Sequence, residues 1–174
     1  MAKSRPIDTT RLRILPFLPE YVTSKYVSWL NDPDVVRYSE QRHKEHTLDS
    51  AESYWRAFEN SPNYFWAIFT KQQPDHIGNL TATVDPANLV ADLAIMIGEK
   101  IAWSNGFGSE AFTAVARYLL DEAGMRKVTA GTLAENKSMI RLAEKAQMIK
   151  DGMRSEHMLF EGRPVDLIYF AKFR

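Results

Sequence analysis

The sequence predicts a mixed α/β fold: a largely antiparallel sheet with helices on both faces. Three observations carry that prediction. Residues 64–97 hold three apolar runs separated by short turn clusters, the pattern of antiparallel hairpins. Segments near 19–31, 47–60, 108–120 and 136–147 repeat apolar residues at the three/four spacing of amphipathic helices. Residues 148–173 then read as a closing hairpin, so helices and strands interleave along the whole chain.

Taken in order, Ile7 to Phe17 alternates loosely and reads as a first strand ended by Pro16 and Pro19. Pro19 to Asn31 carries Tyr21, Val22, Tyr26, Val27 and Leu30 near helical spacing, with Pro19 suited to a first turn. Asn31-Asp32-Pro33 breaks that helix, Asp34 to Tyr38 reads as one further helical turn, and Ser39 to His46 as a polar loop. Thr47 is a good N-cap for a helix reaching about Asn60, with Ala51, Tyr54, Trp55 and Phe58 on its apolar face. Tyr64 to Thr70 is nearly all apolar, as in a strand buried on both faces. His76 to Val84 and Leu89 to Ile97 follow as strands across short turns. The helix with Phe112, Val115, Ala116, Leu119 and Leu120 on one face ends at Gly124. Arg126 to Ala134 is the next strand, and Asn136 caps a helix running to about Gln147. Met148 to Phe160 and Pro164 to Phe173 form the last hairpin, around Glu161-Gly162.

Composition sets bounds. The 174 residues suit a single domain over 1–174 with a sizeable core, at 45% hydrophobic and 25% charged content. Net charge is zero and neither sign forms a block, so no nucleic-acid or anionic-membrane footprint is expected. There is no cysteine, which excludes disulfides, a thiolate nucleophile and Cys-ligated metal. The first residues lack the apolar run of a leader, and a cytoplasmic location is expected.

One stretch points to a ligand. Trp103 to Gly108 is a short glycine-bearing loop that runs into an amphipathic helix. Gly106 and Gly108 permit a tight turn, so successive amides can face one anion at the helix N-terminus. Such a loop reads as a phosphate cradle. A plain surface loop with two turn glycines is the simpler alternative. A dinucleotide fingerprint is the third, because Gly106, Gly108 and Ala111 fit G-x-G-x-x-A, with Glu135 ending the next strand. The loop lies too far behind its strand, which ends near Gly98, and one strand–helix unit cannot build a doubly wound sheet.

The order of elements, the strand Ala91-Asp92-Leu93-Ala94-Ile95-Met96-Ile97-Gly98, the loop Trp103 to Ala111 and the helix opened by Asn136 together resemble the GCN5-related N-acetyltransferase (GNAT) superfamily over the whole chain. Leu12-Arg13, Trp29-Leu30-Asn31-Asp32-Pro33 and Ile77-Gly78-Asn79 resemble its Rim-type, ribosomal-protein N-acetyltransferase-like branch. Residues 26–43 are also similar to members that acetylate amino sugars of bacterial surface polysaccharides. The resemblance implies a mostly antiparallel sheet of six to seven strands and acetyl-CoA as cosubstrate. His43 and His46 have an i, i+3 spacing open to a metal, but no further ligands cluster nearby in the sequence, so no metal is expected. It implies that the amides of Asn105, Gly106, Phe107, Gly108 and Ser109 hold the pyrophosphate. Main-chain groups of Ile95, Met96 and Ile97 would pair with the pantetheine arm, which Asn136 also touches; a plain helix cap explains Asn136 equally well.

Acetyl transfer to an amine needs a neutral amine, a held thioester, a donor to the oxyanion and a proton for the thiolate. The resemblance implies that a backbone N–H near Ile97 serves the oxyanion. This chain departs from the family pattern where relatives carry a Tyr acid, here Ala143, or a Glu base, here Gly131. The usual Gly-Phe after that helix is Gln147-Met148. Ser138 is a candidate proton relay, or else a first-turn capping serine. Asp92 is a candidate base acting through water, or else an outward-facing sheet acid. Glu40, Arg42, His43 and His46 are candidates for the acceptor, or else an ordinary exposed polar loop. The acceptor expected is a primary amine: a nucleotide-linked amino sugar, favoured by residues 26–43, or a protein N-terminus, with antibiotics and polyamines as further options. A non-catalytic acyl-CoA-binding module is the alternative, and the apolar strands at the end of the chain leave a homodimer open.

Overall fold

The computed structural model describes residues 5–174; residues 1–4, part of the segment read as lacking a leader, lie outside them. Among the described residues the strands are β1 (Ile7–Asp8), β2 (Leu12–Pro16), β3 (Tyr64–Thr70), β4 (His76–Asp85), β5 (Val90–Ile97), β6 (Lys127–Leu133), β7 (Ile149–Phe160) and β8 (Arg163–Phe173). The helices are α1 (Ser24–Leu30), α2 (Leu48–Glu59), α3 (Phe107–Asp121) and α4 (Lys137–Lys145). All strands join one eight-stranded sheet in the order β1-β2-β3-β4-β5-β6-β8-β7. Every neighbouring pair is antiparallel except β5 and β6. No helix among the described residues is long and apolar enough to cross a membrane.

Strict alternation along the strands separates two apolar layers. Leu12, Trp66, Leu80 and Leu93 meet Phe112, Val115 and Leu119 of α3 and Ala143 of α4 on one face. Phe65 and Ala67 meet Tyr26, Trp29 and Ala51 of α1 and α2 on the other. Helices α1 and α2 leave the second face of β5 and β6 uncovered, so Asp92, Ala94 and Gly131 are exposed there.

The mixed α/β architecture is as expected, with three local corrections. The single first strand is two, which makes eight strands rather than six to seven. Thr9 folds the chain back: its N–H bonds the Leu12 carbonyl at 3.0 Å and its hydroxyl accepts the Leu12 N–H at 3.0 Å. The helix expected over 19–31 is a 3-10 turn at Pro19–Tyr21 followed by α1, because Thr23 stays extended and caps Tyr26 N–H at 3.2 Å. The single helical turn expected over 34–38 does form, but starts two residues early: the Val36 N–H bonds the Asp32 carbonyl at 3.0 Å and the Asp32 carboxylate caps it by taking the Asp34 N–H at 2.9 Å, and the bonding does not continue to Tyr38. The 39–46 loop contains a 3-10 turn, Glu40–His43.

Candidate active site

The centre of the molecule is a fork in the sheet. β5 and β6 pair only at Val90↔Lys127, Ala91↔Val128 and Asp92↔Thr129. Beyond that point β5 stays with β4 as far as Ile97↔Gly78, and β6 stays with β8 as far as Leu133↔Leu167. The two strands therefore part, and each turns a row of main-chain groups into the gap.

Alternation decides which groups those are. Gly98 N–H bonds the Ile77 carbonyl at 3.0 Å, so residue 98 faces β4, and with it Met96 and Ala94. Arg126 N–H bonds the Leu89 carbonyl at 2.9 Å, so the odd-numbered residues face the β6 side. The main chains of Ile95 and Ile97 thus line the fork, whereas that of Met96 is committed to β4 and its side chain joins the layer under α1 and α2. The Ile97 carbonyl is already occupied by the Trp103 indole N–H at 2.8 Å. The floor of the fork is apolar: a Cβ at Gly108 would lie 3.6 Å from Ile97 and Leu142 and 3.9 Å from Ile95.

α3 starts beside the open end. Gly106 is its N-cap in the left-handed region, φ 79°, and no side chain caps it. Glu110 N–H is the first to find a helical acceptor, Gly106 O at 3.1 Å. The amides of Phe107, Gly108 and Ser109 are therefore free at the positive end of a 15-residue helix. The loop is held from a distance. Arg11 donates to the Asn105 carbonyl at 2.9 Å and to the Glu110 carboxylate at 2.7 Å, with its guanidinium 4.6 Å from the Phe107 ring centroid. Burial favours the neutral form of Glu110, but bonds from Thr9 and Arg11 outweigh it and hold the pKa below the usual carboxylate range. Arg11 had no local signal in the sequence because its partners lie far along the chain.

Asp92 sits where the fork closes, on the face away from α3. The Thr129 hydroxyl donates to it at 2.6 Å. Part of the residue is exposed, yet the protein around the carboxyl raises its pKa, opposed by the Thr129 bond. Next to it, Ala94 and Gly131 leave a bare floor, and the Tyr169 ring leans over Gly131, where a Cβ would meet Cε1 at 3.3 Å. Tyr169 was hidden as one aromatic in an apolar strand.

Asn136 caps α4, accepting Met139 N–H at 3.1 Å, which leaves its amide nitrogen free. Ser138 is exposed in the first turn and makes no side-chain bond among the described residues. Ala143 is fully buried against the core. Arg42 and His43 line a concavity of about 730 Å³ between the 31–46 loop and the β7–β8 tip, with Leu30, Arg37 and Phe160. Glu40 stands behind them, paired to Arg42 at 3.0 Å. His46 is structural in its main chain: it exchanges two bonds with the Asn31 side chain, each 2.8 Å, which ties the loop shut. His76, unremarked in the sequence, is walled by aromatics including Trp29 at 4.9 Å, and burial lowers its pKa.

A parallel strand pair that opens beside a free helix N-terminus defines the class of fold. The family comparison names it. The acetyltransferase (GNAT) domain model matches residues 11–149, and the chain belongs to that family. A search among curated proteins gives no match. Solved structures share the fold. A GNAT-family acetyltransferase from Bacillus anthracis is 18% identical, with TM-score 0.83 over 97% of this chain and 98% of its own. Spermidine N-acetyltransferase from Vibrio cholerae, in complex with CoA and spermine, is 15% identical, with TM-score 0.83 over 95% and 96%. Ribosomal-protein-S5-alanine acetyltransferase from Vibrio fischeri is 10% identical, with TM-score 0.83 over 98% and 97%.

Ser138 carries a clean test. Its hydroxyl holds nothing in the fold, so Ser138→Ala should leave the melting temperature unchanged. If it relays a proton to the thiolate, turnover should fall about tenfold or more at unchanged acetyl-CoA affinity. Wild-type turnover would return it to an ordinary first-turn serine.

Proposed function

We propose that residues 1–174 form one acetyltransferase domain of the Rim-type branch, which moves acetyl from acetyl-CoA to a primary amine. The observation that carries this is the fork between β5 and β6 opening beside the uncapped start of α3. In this reading the amides of Asn105 to Ser109 hold the pyrophosphate. Ile95 pairs with the pantetheine arm through its main chain and the Asn136 amide touches it; Ile97, whose carbonyl holds the Trp103 indole, keeps only its N–H for the ligand. Met96 then contributes its side chain to the acceptor face rather than a main-chain pairing.

The amine approaches over Ala94 and Gly131. Its nitrogen attacks the thioester carbon, the C–N bond forms, and the Ile97 N–H receives the developing oxyanion. Asp92 takes the amine proton through water; its raised pKa makes it a better base than an ordinary aspartate. The C–S bond breaks, and the thiolate takes a proton by way of Ser138. Arg42 and His43, backed by Glu40, border the body of the acceptor. An amino sugar on a nucleotide is the favoured acceptor, from the resemblance of residues 26–43; a protein N-terminus is the next. A cytoplasmic reaction fits acetyl-CoA as donor.

A non-catalytic acyl-CoA-binding module is the second reading, favoured by the buried Ala143 and the bare Gly131. Calorimetric titration with acetyl-CoA, with NADH as control, tests the shared premise: micromolar acetyl-CoA binding without NADH binding is expected. CoA thiol release with a panel of a nucleotide-linked amino sugar, an N-terminal peptide and a polyamine then separates the two. Release that depends on amine supports the enzyme; binding without release supports the module. Absence of acetyl-CoA binding removes both.

A further inference from the structure

We infer that the Tyr169 hydroxyl positions the attacking amine at the fork, a role that rests on the acetyltransferase reading above. Tyr169 pairs with Gly131 of β6 on one side and Gly152 of β7 on the other, so neither neighbour along the ladder has a side chain. The ring leans toward Gly131. The two atoms nearest a Cβ there are Cε1 at 3.3 Å and Cδ1 at 3.5 Å, whereas a Cβ at Gly152 would meet nothing within 4 Å. Cε1 is the closer atom, so the ring edge that leads to the hydroxyl lies beside the Gly131 Cβ position. The Arg154 guanidinium packs on the ring, 5.5 Å from its centroid.

Residue 131 lies on β6 just past the last pairing with β5, Asp92↔Thr129, and its face is that of Asp92 and Ala94. Tyr169 shares that face beside the exposed Gly131, one step along β6 from the Asp92–Thr129 pair, and in this proposal its hydroxyl serves the floor of Ala94 and Gly131. No side-chain hydrogen bond among the described residues uses it. A primary amine on that floor meets two oxygen groups: the water through which Asp92 takes the proton, and the Tyr169 oxygen, which accepts a second N–H bond. That bond turns the nitrogen lone pair toward the fork. Tyr169 neither gains nor loses a proton in this step. It accounts for a chain that lacks a side chain at 131: the oxygen comes from the neighbouring strand instead.

An aromatic ring laid over a cross-strand glycine also shields the strand without any chemistry. Tyr169→Phe keeps that shield and the contact with Arg154 while removing the oxygen, so the variant separates the two. The measurement is acetyl-CoA affinity by calorimetry, melting temperature, and kcat/KM for whichever panel amine the unsubstituted protein accepts. The expected result is unchanged melting temperature and acetyl-CoA affinity with a fall in kcat/KM for the amine of about 10- to 100-fold. The shape of the pH profile set by Asp92 should remain. Unchanged kcat/KM overturns the role and leaves Tyr169 as a cover for Gly131. A loss of acetyl-CoA affinity equal to the loss in kcat/KM overturns it too, because the hydroxyl would then serve the donor. If the unsubstituted protein binds acetyl-CoA and acetylates no amine, the enzyme reading fails first and the Tyr169 role falls with it.

Discussion

Asp92→Asn should reduce kcat/KM for the amine by about 100- to 10,000-fold, the range for removing a general base, while leaving acetyl-CoA affinity near that of the unsubstituted protein. The side chain lies on the acceptor face, and Asn can still accept the Thr129 hydroxyl now held at 2.6 Å. The protein should be at least as stable at neutral pH. Burial raises the Asp92 pKa in the fold, so the folded state binds its proton more readily than the unfolded chain. Below the unfolded pKa both states are protonated and the residue is neutral to stability. Above the folded pKa its charge costs stability, which Asn removes. Lower activity with an equal or higher melting temperature at pH 7 is therefore expected, measured by steady-state kinetics beside thermal melts. The unsubstituted enzyme should lose activity as pH falls through a value above the ordinary aspartate range, and the variant should lack that limb. Full activity in the variant would leave the carboxylate an outward-facing sheet acid.

The contrast between Asp92 and Tyr169 shows what could be read in the chain. Tyr64 to Thr70 was legible to its ends because an unbroken apolar run between two turn clusters has one simple solution, and β3 occupies those residues. Thr47 was legible because a cap and its partner are three residues apart; Thr47 and Ser50 form a reciprocal capping box. The first strand was misread for the opposite reason. The fold-back at Thr9 has no Gly, Pro or Asn to mark it and is made by the N–H and hydroxyl of one threonine. The helix over 19–31 failed at Thr23, where side-chain capping overrode a continuous apolar pattern.

The site follows the same logic. Alternation along β5 places Asp92, Ala94 and Met96 on one face, and that much is a property of the strand alone. The fork is a relation between strands whose paired residues are remote in sequence, such as Asp92 and Thr129. No local pattern records where they separate, nor that Met96 spends its main chain on β4. Tyr169 over Gly131 and Arg11 on Asn105 are likewise contacts that only the sheet order creates.

Substitutions at Gly106 and Gly108 should have opposite effects on stability, and that difference tests the anion cradle. Gly106 takes φ 79°. Valine there is strained by about 1–3 kcal/mol, although a Cβ would meet only Arg11 Nη2 at an ordinary 3.5 Å. Gly106→Val should therefore lower the melting temperature by several degrees. The turn that aims the amides of 107–109 should open, and acetyl-CoA affinity should fall by about 100-fold or more, as for two lost bonds to a charged group. Gly108 has no such constraint: it lies within the first turn of α3, and a Cβ would touch Ile97 and Leu142 at 3.6 Å. Gly108→Ala should leave the protein as stable or more so, by up to about 1 kcal/mol. If the pyrophosphate comes down onto that turn, the added methyl should still weaken acetyl-CoA binding about tenfold, because the bare Cα lets the anion approach the amides. A stable Gly108→Ala protein with weakened binding locates the anion at the helix start independently of any unfolding. Undiminished binding in Gly108→Ala with loss in Gly106→Val would confine the contact to the loop before the helix. Undiminished binding in both would remove the cradle and, with it, the reason to place the donor in the fork.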